Sequence, residues 1–187
     1  MKKLAVMFPG IGYTTDRPLL YYASKLAAKY GYESVRLDFR NIKGGKEALK
    51  NPEKLQTLLG QGIDTAMAGL AETDFSEYED IIFISKSYGT VIAAAIAKQQ
   101  GIPAKQVYLT PIASFAEFVQ EGNGIAFFGT ADPFANADEI EQICREKGIS
   151  AHRVADANHS LETEDVYRNI EVLKEVLQEV ERKLTAE

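Results

Sequence analysis

The amino-acid sequence predicts an α/β domain in which helices cover both faces of a doubly wound, parallel sheet of about six strands. Short apolar runs alternate with longer amphipathic segments from one end of the chain to the other. The third run, residues 80–84, is almost wholly apolar, as a central parallel strand buried on both faces must be. No linker, internal repeat or low-complexity block interrupts the alternation, so we expect residues 1–187 to form a single domain.

The first predicted strand, residues 4–8, is an apolar run that a Pro-Gly pair closes. A helix is expected next, because Thr15 or Asp16 can cap its first amides and Pro18 suits its first turn. Gly31 is a natural end for this helix. Its predicted inward stripe contains four residues, Leu19, Tyr22, Leu26 and Tyr30.

The next stretch of the chain adds two strands and two helices. Residues 34–39 are predicted to be the second strand, and a loop at Gly44-Gly45 leads to a helix at residues 52–73. Glycine costs about 1 kcal/mol relative to alanine inside a helix, so we expect an irregularity where this helix reads Gly-Gln-Gly. The strand at 80–84 follows, and then an alanine-rich helix at 91–100 that can lie close against the sheet.

The last part of the chain repeats the alternation. Strands are predicted at residues 106–109, 124–128 and 150–154. A short aromatic helix containing Phe115 and a longer helix at residues 137–147 lie between them. The final amphipathic helix carries six apolar residues on one face: Val166, Ile170, Leu173, Leu177, Val180 and Leu184.

Sheets of this class bind ligands outside the carboxyl ends of their strands, so the loops after the strands are the places where a site is expected. The loop after the third strand, residues 85–89, is Ser-Lys-Ser-Tyr-Gly and leads into the alanine-rich helix. This context predicts a nucleophile elbow, in which the central Ser87 is strained and the residues two before and two after it are small. The alternative is a polar turn in which Ser87 only caps the helix.

A serine nucleophile needs a base beside it, and the base needs an acid to fix its tautomer. Of the two histidines, His152 lies within the sixth predicted strand and His159 lies in the loop after it. Asp132 lies in the loop after the fifth strand, although aspartate before proline is also an ordinary turn former. Ser87, Asp132 and His159 each follow a different strand, so the predicted sheet places all three at one edge.

The loop after the first strand, residues 8–13, contains two glycines, which would let backbone N–H groups face a substrate oxygen. The amides of Ile11 and Tyr88 are the predicted oxyanion donors. The competing interpretation is a loop that binds a nucleotide phosphate. It is less favoured, because Thr15 stands where a dinucleotide fingerprint has its third glycine and no Gly-Lys-Ser or Gly-Lys-Thr sequence occurs.

These loops resemble those of the α/β-hydrolase superfamily, and the resemblance spans nearly the whole chain. Residues 85–89 resemble the family's Gly-x-Ser-x-Gly elbow, with Ser85 in place of the first glycine. Three further loops resemble its acid, histidine and oxyanion loops: residues 129–133, 158–160 and 8–12. Pro9 replaces the histidine of the oxyanion loop, and the family's first two strands are missing. Since no insertion is long enough for a cap domain, the chain resembles a compact, lidless member.

The resemblance implies acyl transfer to water. Ser87 would attack a carbonyl, His159 would take its proton, and Asp132 would steady the imidazolium. The amides of Ile11 and Tyr88 would stabilise the oxyanion, and water would release the acyl-enzyme. A non-catalytic binding or regulatory protein on the same fold remains an alternative, as does an acyltransferase or peptidase that uses the same three residues.

The substrate is expected to be a small molecule, an ester or thioester with a small acyl group. Tyr13, Phe115 and Phe134 are the predicted apolar walls of the substrate site, although each is also an ordinary candidate for core packing. Three basic residues could favour an acidic substrate, but the sequence favours solvated surface charge for each of them: Lys86, Arg40 and Arg17.

The composition excludes several kinds of partner. The chain has 27 acidic and 21 basic residues, a net charge of −6, which gives no basic surface for nucleic acid or an anionic membrane. The first apolar run is too short for a signal peptide and no run approaches the ~20 residues of a membrane span, so we expect a cytoplasmic protein. The single cysteine, Cys144, excludes an internal disulfide, and two separated histidines suggest no metal site. We expect no cofactor, and the sequence leaves the oligomeric state open.

Overall fold

The computed structural model describes residues 2–42 and 51–186, and this part of the chain contains one six-stranded sheet. The strands are β1 (Lys2–Phe8), β2 (Tyr32–Arg36), β3 (Tyr78–Lys86), β4 (Lys105–Leu109), β5 (Ile125–Gly129) and β6 (Ser150–Val154). They lie in the order β2-β1-β3-β4-β5-β6, and every neighbouring pair is parallel. The predicted Gly44-Gly45 loop lies outside the described residues.

Helices cover both faces of the sheet. The described residues form five α-helices: α1 (Pro18–Lys29), α2 (Pro52–Gly69), α3 (Tyr88–Gln100), α4 (Ala137–Glu146) and α5 (Val166–Thr185). Helices α1 and α5 share one buried apolar cluster with the sheet, and α2, α3 and α4 share the other. The predicted doubly wound α/β class is therefore confirmed. The predicted aromatic helix is a 3₁₀ turn, Ala113–Glu117, and a second 3₁₀ turn covers Phe75–Glu77.

The register of the strands brings their carboxyl ends to one level. Phe8 at the end of β1 pairs with Ser85, and Lys86 at the end of β3 pairs with Leu109 of β4. Gly129 at the end of β5 pairs with the last residue of β6. The loops that follow β1, β3, β5 and β6 therefore meet at the same edge of the sheet.

The inward face of α1 differs from the predicted stripe. Its buried residues are Leu19, Leu20, Ala23, Ser24 and Ala27, whereas Tyr22 is 48% exposed. Small residues on the inner face let the helix backbone approach the sheet, and the larger Tyr22 lies outside. The helix also starts without a side-chain cap from Thr15 or Asp16, because Arg17 is at the N-cap position and Pro18 opens the first turn.

The predicted face of α5 is also only partly buried. Its buried residues are Val172, Val176, Val180 and Leu184, whereas Val166 and Ile170 are mostly exposed. Leu173 and Leu177 are partly buried, on the side of α5 that packs towards α1. Two adjacent apolar stripes therefore exist on this helix, and the fold buries the one with three valines.

The structure also differs from the prediction in one helix and one strand. Helix α2 runs unbroken through its Gly-Gln-Gly sequence, where we expected an irregularity. Gly62 is buried there against the side chains of Tyr88 and Ile92, which leave no room for a larger residue. The second strand lies at Tyr32–Arg36 rather than at 34–39.

Candidate active site

Ser87 joins β3 to α3 in a backbone conformation that L-amino acids rarely adopt, with φ 55° and ψ −122°. The surrounding residues must be small. A Cβ on Gly89 would come within 2.5 Å of the Phe8 carbonyl oxygen, and one on Gly10 within 3.2 Å of the Ser87 Cβ. The buried Ser85 hydroxyl donates to a carbonyl of β4 at 2.9 Å. This turn has the tight geometry of a nucleophile elbow, and such strain is typical of functional sites.

The structure brings Ser87, His159 and Asp132 into one line of contacts. The Ser87 Oγ lies 2.6 Å from the His159 Nε2, and the His159 Nδ1 lies 2.6 Å from the Asp132 Oδ2. The side chain of Asp132 is 1% exposed and that of His159 is 13% exposed. A carboxylate facing Nδ1 favours the tautomer that carries its proton there, so Nε2 can accept the serine proton.

The loops that carry the acid and the histidine are held against each other. The Ala131 N–H donates to the Ala157 carbonyl at 3.0 Å. Gly129 is required at the end of β5, because a Cβ there would overlap the same Ala157 carbonyl. This close approach fixes the two loops relative to each other and so sets the separation of Asp132 and His159.

The first amide of α3 comes directly after Ser87. Tyr88 begins the helix, so its N–H has no acceptor within the helix. The amino-terminal end of a helix also carries partial positive charge. These properties suit the Tyr88 amide to stabilise an oxyanion that forms on the Ser87 side of the turn.

The loop after β1 supplies the second predicted donor. Residues 10–13 form a tight turn, which we call the 10–13 turn. Two hydrogen bonds close it: the Gly10 N–H donates to the Tyr13 carbonyl at 3.0 Å, and the Tyr13 N–H donates to the Gly10 carbonyl at 3.3 Å. Gly12 has φ 74°, which glycine adopts without strain. Neither closing bond uses the Ile11 amide, which therefore remains a candidate oxyanion donor.

Comparison with solved structures identifies the fold. Est1E from Butyrivibrio proteoclasticus matches with a TM-score of 0.70 and 11% identity, over 98% of this chain and 88% of that chain. XC6422 from Xanthomonas campestris, described as an α/β serine hydrolase without lid, matches with a TM-score of 0.63 and 13% identity, over 98% and 83%. The chain has the α/β-hydrolase fold.

A third structure, an α/β serine hydrolase homologue from Coxiella burnetii, has a TM-score of 0.63 and 13% identity, over 95% of this chain and 84% of that chain. No protein-family model and no curated protein matches the sequence. At these identities the shared property is the fold alone.

Two of the three predicted substrate residues lie at the site edge. Phe134 is partly buried, with its ring centroid 4.9 Å from that of His159, and its N–H donates to the Asp132 Oδ1 at 2.8 Å. Tyr13 is 8% exposed, and its hydroxyl accepts the Leu19 N–H at 3.2 Å. Burial raises the pKa of Tyr13 to about 12, so its hydroxyl is neutral at ordinary pH.

The third predicted substrate residue, Phe115, lies in the core instead. Its side chain is fully buried and packs edge-on against Tyr108, with centroids 5.3 Å apart. Phe115 belongs to the buried apolar cluster that α2, α3 and α4 form with the sheet. Phe115 therefore has no surface to offer a substrate, and the substrate wall predicted there is corrected to core packing.

Lys86, expected to be a solvated surface charge, is buried. It is 2% exposed, and its Nζ lies 4.7 Å from the centroid of the Tyr13 ring. Residues two and four positions earlier, Ile84 and Ile82, are buried on the same face of β3, so the strand alternation was the signal that could have shown it. Arg40 and Arg17 are exposed as expected, and Arg40 pairs with Asp38.

A cavity of about 440 Å³ beside the 10–13 turn was not predicted from the sequence. It is lined by Gly10 and Gly12 of this turn, by residues 14–16, and by residues 36–40 and 42 at the end of β2 and in the loop after it. Arg36 donates to the Thr15 carbonyl at 2.7 Å and to the Asp16 carboxylate at 2.6 Å, which ties the two walls together. Only the packing of two loops far apart in sequence creates this space.

The second histidine and the single cysteine lie in regular elements rather than in these loops. His152 stacks on Phe127 with centroids 4.6 Å apart, and burial lowers its pKa. Cys144 is buried in α4, and burial raises the pKa of its thiol to about 11.

Within residues 2–42 and 51–186, no three His, Cys, Asp or Glu side chains converge as metal ligands would. No helix in those residues is both long enough and apolar enough to cross a membrane.

Proposed function

We propose that the protein is a serine hydrolase that cleaves a small ester or thioester. One observation carries the proposal: the hydroxyl of a strained, elbow-type Ser87 lies 2.6 Å from His159, which lies 2.6 Å from the buried Asp132. Such an arrangement activates a serine and is costly to maintain without a use for it. The hydrolase fold of the chain supports the same conclusion.

In the first half-reaction, the Ser87 Oγ attacks the substrate carbonyl carbon while its proton passes to the His159 Nε2. Asp132 stabilises the imidazolium through Nδ1. The carbonyl oxygen becomes an oxyanion, which the amides of Ile11 and Tyr88 stabilise. When the tetrahedral intermediate collapses, the bond to the leaving group breaks and His159 returns the proton to the departing alcohol or thiol.

The second half-reaction releases the acyl group. A water molecule gives one proton to the His159 Nε2 as its oxygen attacks the acyl carbon, and the same two amides hold the new oxyanion. Collapse breaks the ester bond to Ser87, which regains the proton from His159. The products are a carboxylic acid and the free enzyme.

The substrate expected is a small-molecule acyl ester. Phe134, beside the imidazole, supplies an apolar wall, while Tyr13 lies near the other candidate donor. An acyltransferase or peptidase would use the same three residues with a different acceptor or leaving group. We also propose that the enzyme acts in the cytoplasm and binds neither nucleic acid nor a membrane.

Labelling by a fluorophosphonate probe tests the proposal directly, because the probe reacts only with an activated serine. The wild type should label, Ser87→Ala should not, and His159→Ala should label far more slowly. Two matched controls come from the chain itself: Ser85→Ala, in the same pentapeptide, and His152→Ala, the other histidine, should both label. A series of p-nitrophenyl esters and acyl thioesters of rising chain length then defines the acyl group.

The same labelling experiment can also overturn the proposal. If the folded wild type does not label, or if Ser87→Ala labels as fast as the wild type, Ser87 is not an activated nucleophile. The non-catalytic alternative then leads.

A further inference from the structure

The loop that carries the Ile11 amide lies against a buried lysine side chain. Lys86, the residue before Ser87, is only 2% exposed, and its Nζ lies 4.7 Å from the centroid of the Tyr13 ring. An ammonium group loses its hydration when it is buried, which is unfavourable unless other groups compensate. A buried lysine at this position therefore suggests a role that an apolar residue of the same length could not supply.

The electron-rich face of the Tyr13 ring supplies part of the compensation. A cation above an aromatic face is attracted by the ring quadrupole, and the attraction strengthens when water is excluded. Both partners are buried here, with Tyr13 8% exposed. The ring itself is anchored at its far end, since its hydroxyl accepts the Leu19 N–H in the first turn of α1. Tyr13 is therefore held from both sides.

The same lysine also contacts the other end of the 10–13 turn. A Cβ on Gly10 would lie 3.3 Å from the Lys86 Cδ, so the aliphatic stem of the lysine fills the space under Gly10. Gly10 and Tyr13 are the two residues whose hydrogen bonds close the turn. The Lys86 side chain thus supports both ends of the turn that carries Ile11, and its backbone leads directly into Ser87.

We propose that Lys86 is a positioning residue, which clamps the 10–13 turn through Tyr13 so that the Ile11 amide stays fixed relative to Ser87. This inference rests on the proposed function, because the fixed amide matters only if an oxyanion forms there. The Lys86–Tyr13 contact affects kcat more than substrate binding. This is because the hydrogen bond from the Ile11 N–H to the carbonyl oxygen strengthens as negative charge develops on that oxygen in the transition state.

The test compares Lys86→Met, which keeps the length and removes the charge, with Lys25→Met, which removes an exposed lysine 5.5 Å from the Tyr21 ring. Lys86→Met should lower kcat about 10- to 100-fold and change KM less than about twofold, as expected for a misplaced oxyanion donor. Affinity for a trifluoromethyl ketone analogue, which forms a tetrahedral adduct, should fall by a similar factor. Lys25→Met should leave all three quantities unchanged.

Tyr13 provides an independent arm should Lys86→Met fail to fold. Tyr13→Leu removes the ring and should lower kcat by the same factor as Lys86→Met, whereas Tyr13→Phe keeps the ring, loses only the hydrogen bond from Leu19, and should lower kcat less. Where Lys86→Met and Tyr13→Leu both fold, the variant that combines them should lose little more kcat than either alone, because both remove the same contact.

Two failures are distinguishable. If the wild type is labelled by the fluorophosphonate and hydrolyses esters, but Lys86→Met or Tyr13→Leu keeps kcat and analogue affinity within twofold of wild type, the clamp is wrong and the proposed function stands. If the wild type itself does not label, the proposed function is wrong and the clamp has no catalytic meaning.

Discussion

The phenol of Tyr88 lies directly against the backbone of Gly62, so that no Cβ fits on Gly62 without overlapping the Tyr88 hydroxyl. That hydroxyl donates to the Leu58 carbonyl, which lies one turn before Gly62 in α2. Tyr88 also supplies one of the two candidate oxyanion amides. The contact therefore connects α2 directly to the turn that carries Ser87.

Gly62→Ala should destabilise the protein, whereas Gly60→Ala in the same helix should not. The added methyl at residue 62 displaces Tyr88, and overpacking of this kind costs about 1–3 kcal/mol of unfolding free energy. Gly60 has open space where a Cβ would stand, so alanine there should stabilise α2 by up to about 1 kcal/mol. Urea denaturation of both variants measures the difference, and equal shifts would contradict the packing described.

Asp132→Asn should leave the fold intact and greatly lower the rate of ester hydrolysis. The amide can still accept the Phe134 N–H, but it no longer holds His159 in the tautomer whose Nε2 accepts a proton. Loss of the acid lowers kcat by up to about 10⁴-fold in enzymes that use a Ser-His-Asp triad. The exposed Asp138, which pairs with Arg153, offers the control Asp138→Asn, for which no change is expected. Full activity in Asp132→Asn would exclude Asp132 as the acid.

Cys144 should be unreactive in the folded protein. Burial raises the pKa of its thiol to about 11, so only about one molecule in a thousand carries the thiolate at pH 8, and that thiolate is shielded from reagents. A disulfide reagent such as DTNB should react slowly in buffer and at once in denaturing urea. Rapid modification of the native protein would show that α4 opens readily or that the thiol is not buried.

The free energy of unfolding should decline at alkaline pH, in part through Tyr13. Burial raises its folded-state pKa to about 12 from an ordinary value of 10.0, so the folded state favours the neutral phenol. The contribution is complete below pH 10 and is lost as pH rises towards 12, because the unfolded chain ionises first. Tyr13→Phe should therefore reduce the slope of stability against pH in this window by up to about 1.4 kcal/mol per pH unit. Burial raises the pKa of Tyr88 and Tyr108 too, so part of the slope should remain.

Much of the architecture could be predicted from local patterns. Apolar runs of strand length and amphipathic runs of helix length are local properties, and they identified six strands and the doubly wound class. The faces of α1 and α5 could not be predicted as well. Each carries two adjacent apolar stripes, and the choice between them depends on how closely the helix backbone approaches the sheet, which no local pattern contains.

The candidate site shows the same division. Turn chemistry and chain order selected Ser87, Asp132 and His159 from the sequence, because each lies in a loop after a different strand. Their contacts of 2.6 Å depend on distant features, such as Gly129 lying against the Ala157 carbonyl. Phe115 was misplaced for a similar reason, since an aromatic residue near a loop can face either the core or the solvent.

The sequence by itself determined the class of fold, the edge of the sheet where chemistry is expected, and the three residues proposed to perform it. These follow from hydrophobic periodicity and from the residue types that tight turns require. Only the tertiary structure decided that the Lys86 side chain lies against Gly10 and the Tyr13 ring, and that a cavity opens beside the 10–13 turn. Burial and cavities arise where segments far apart in sequence pack together, and that packing is a property of the whole fold.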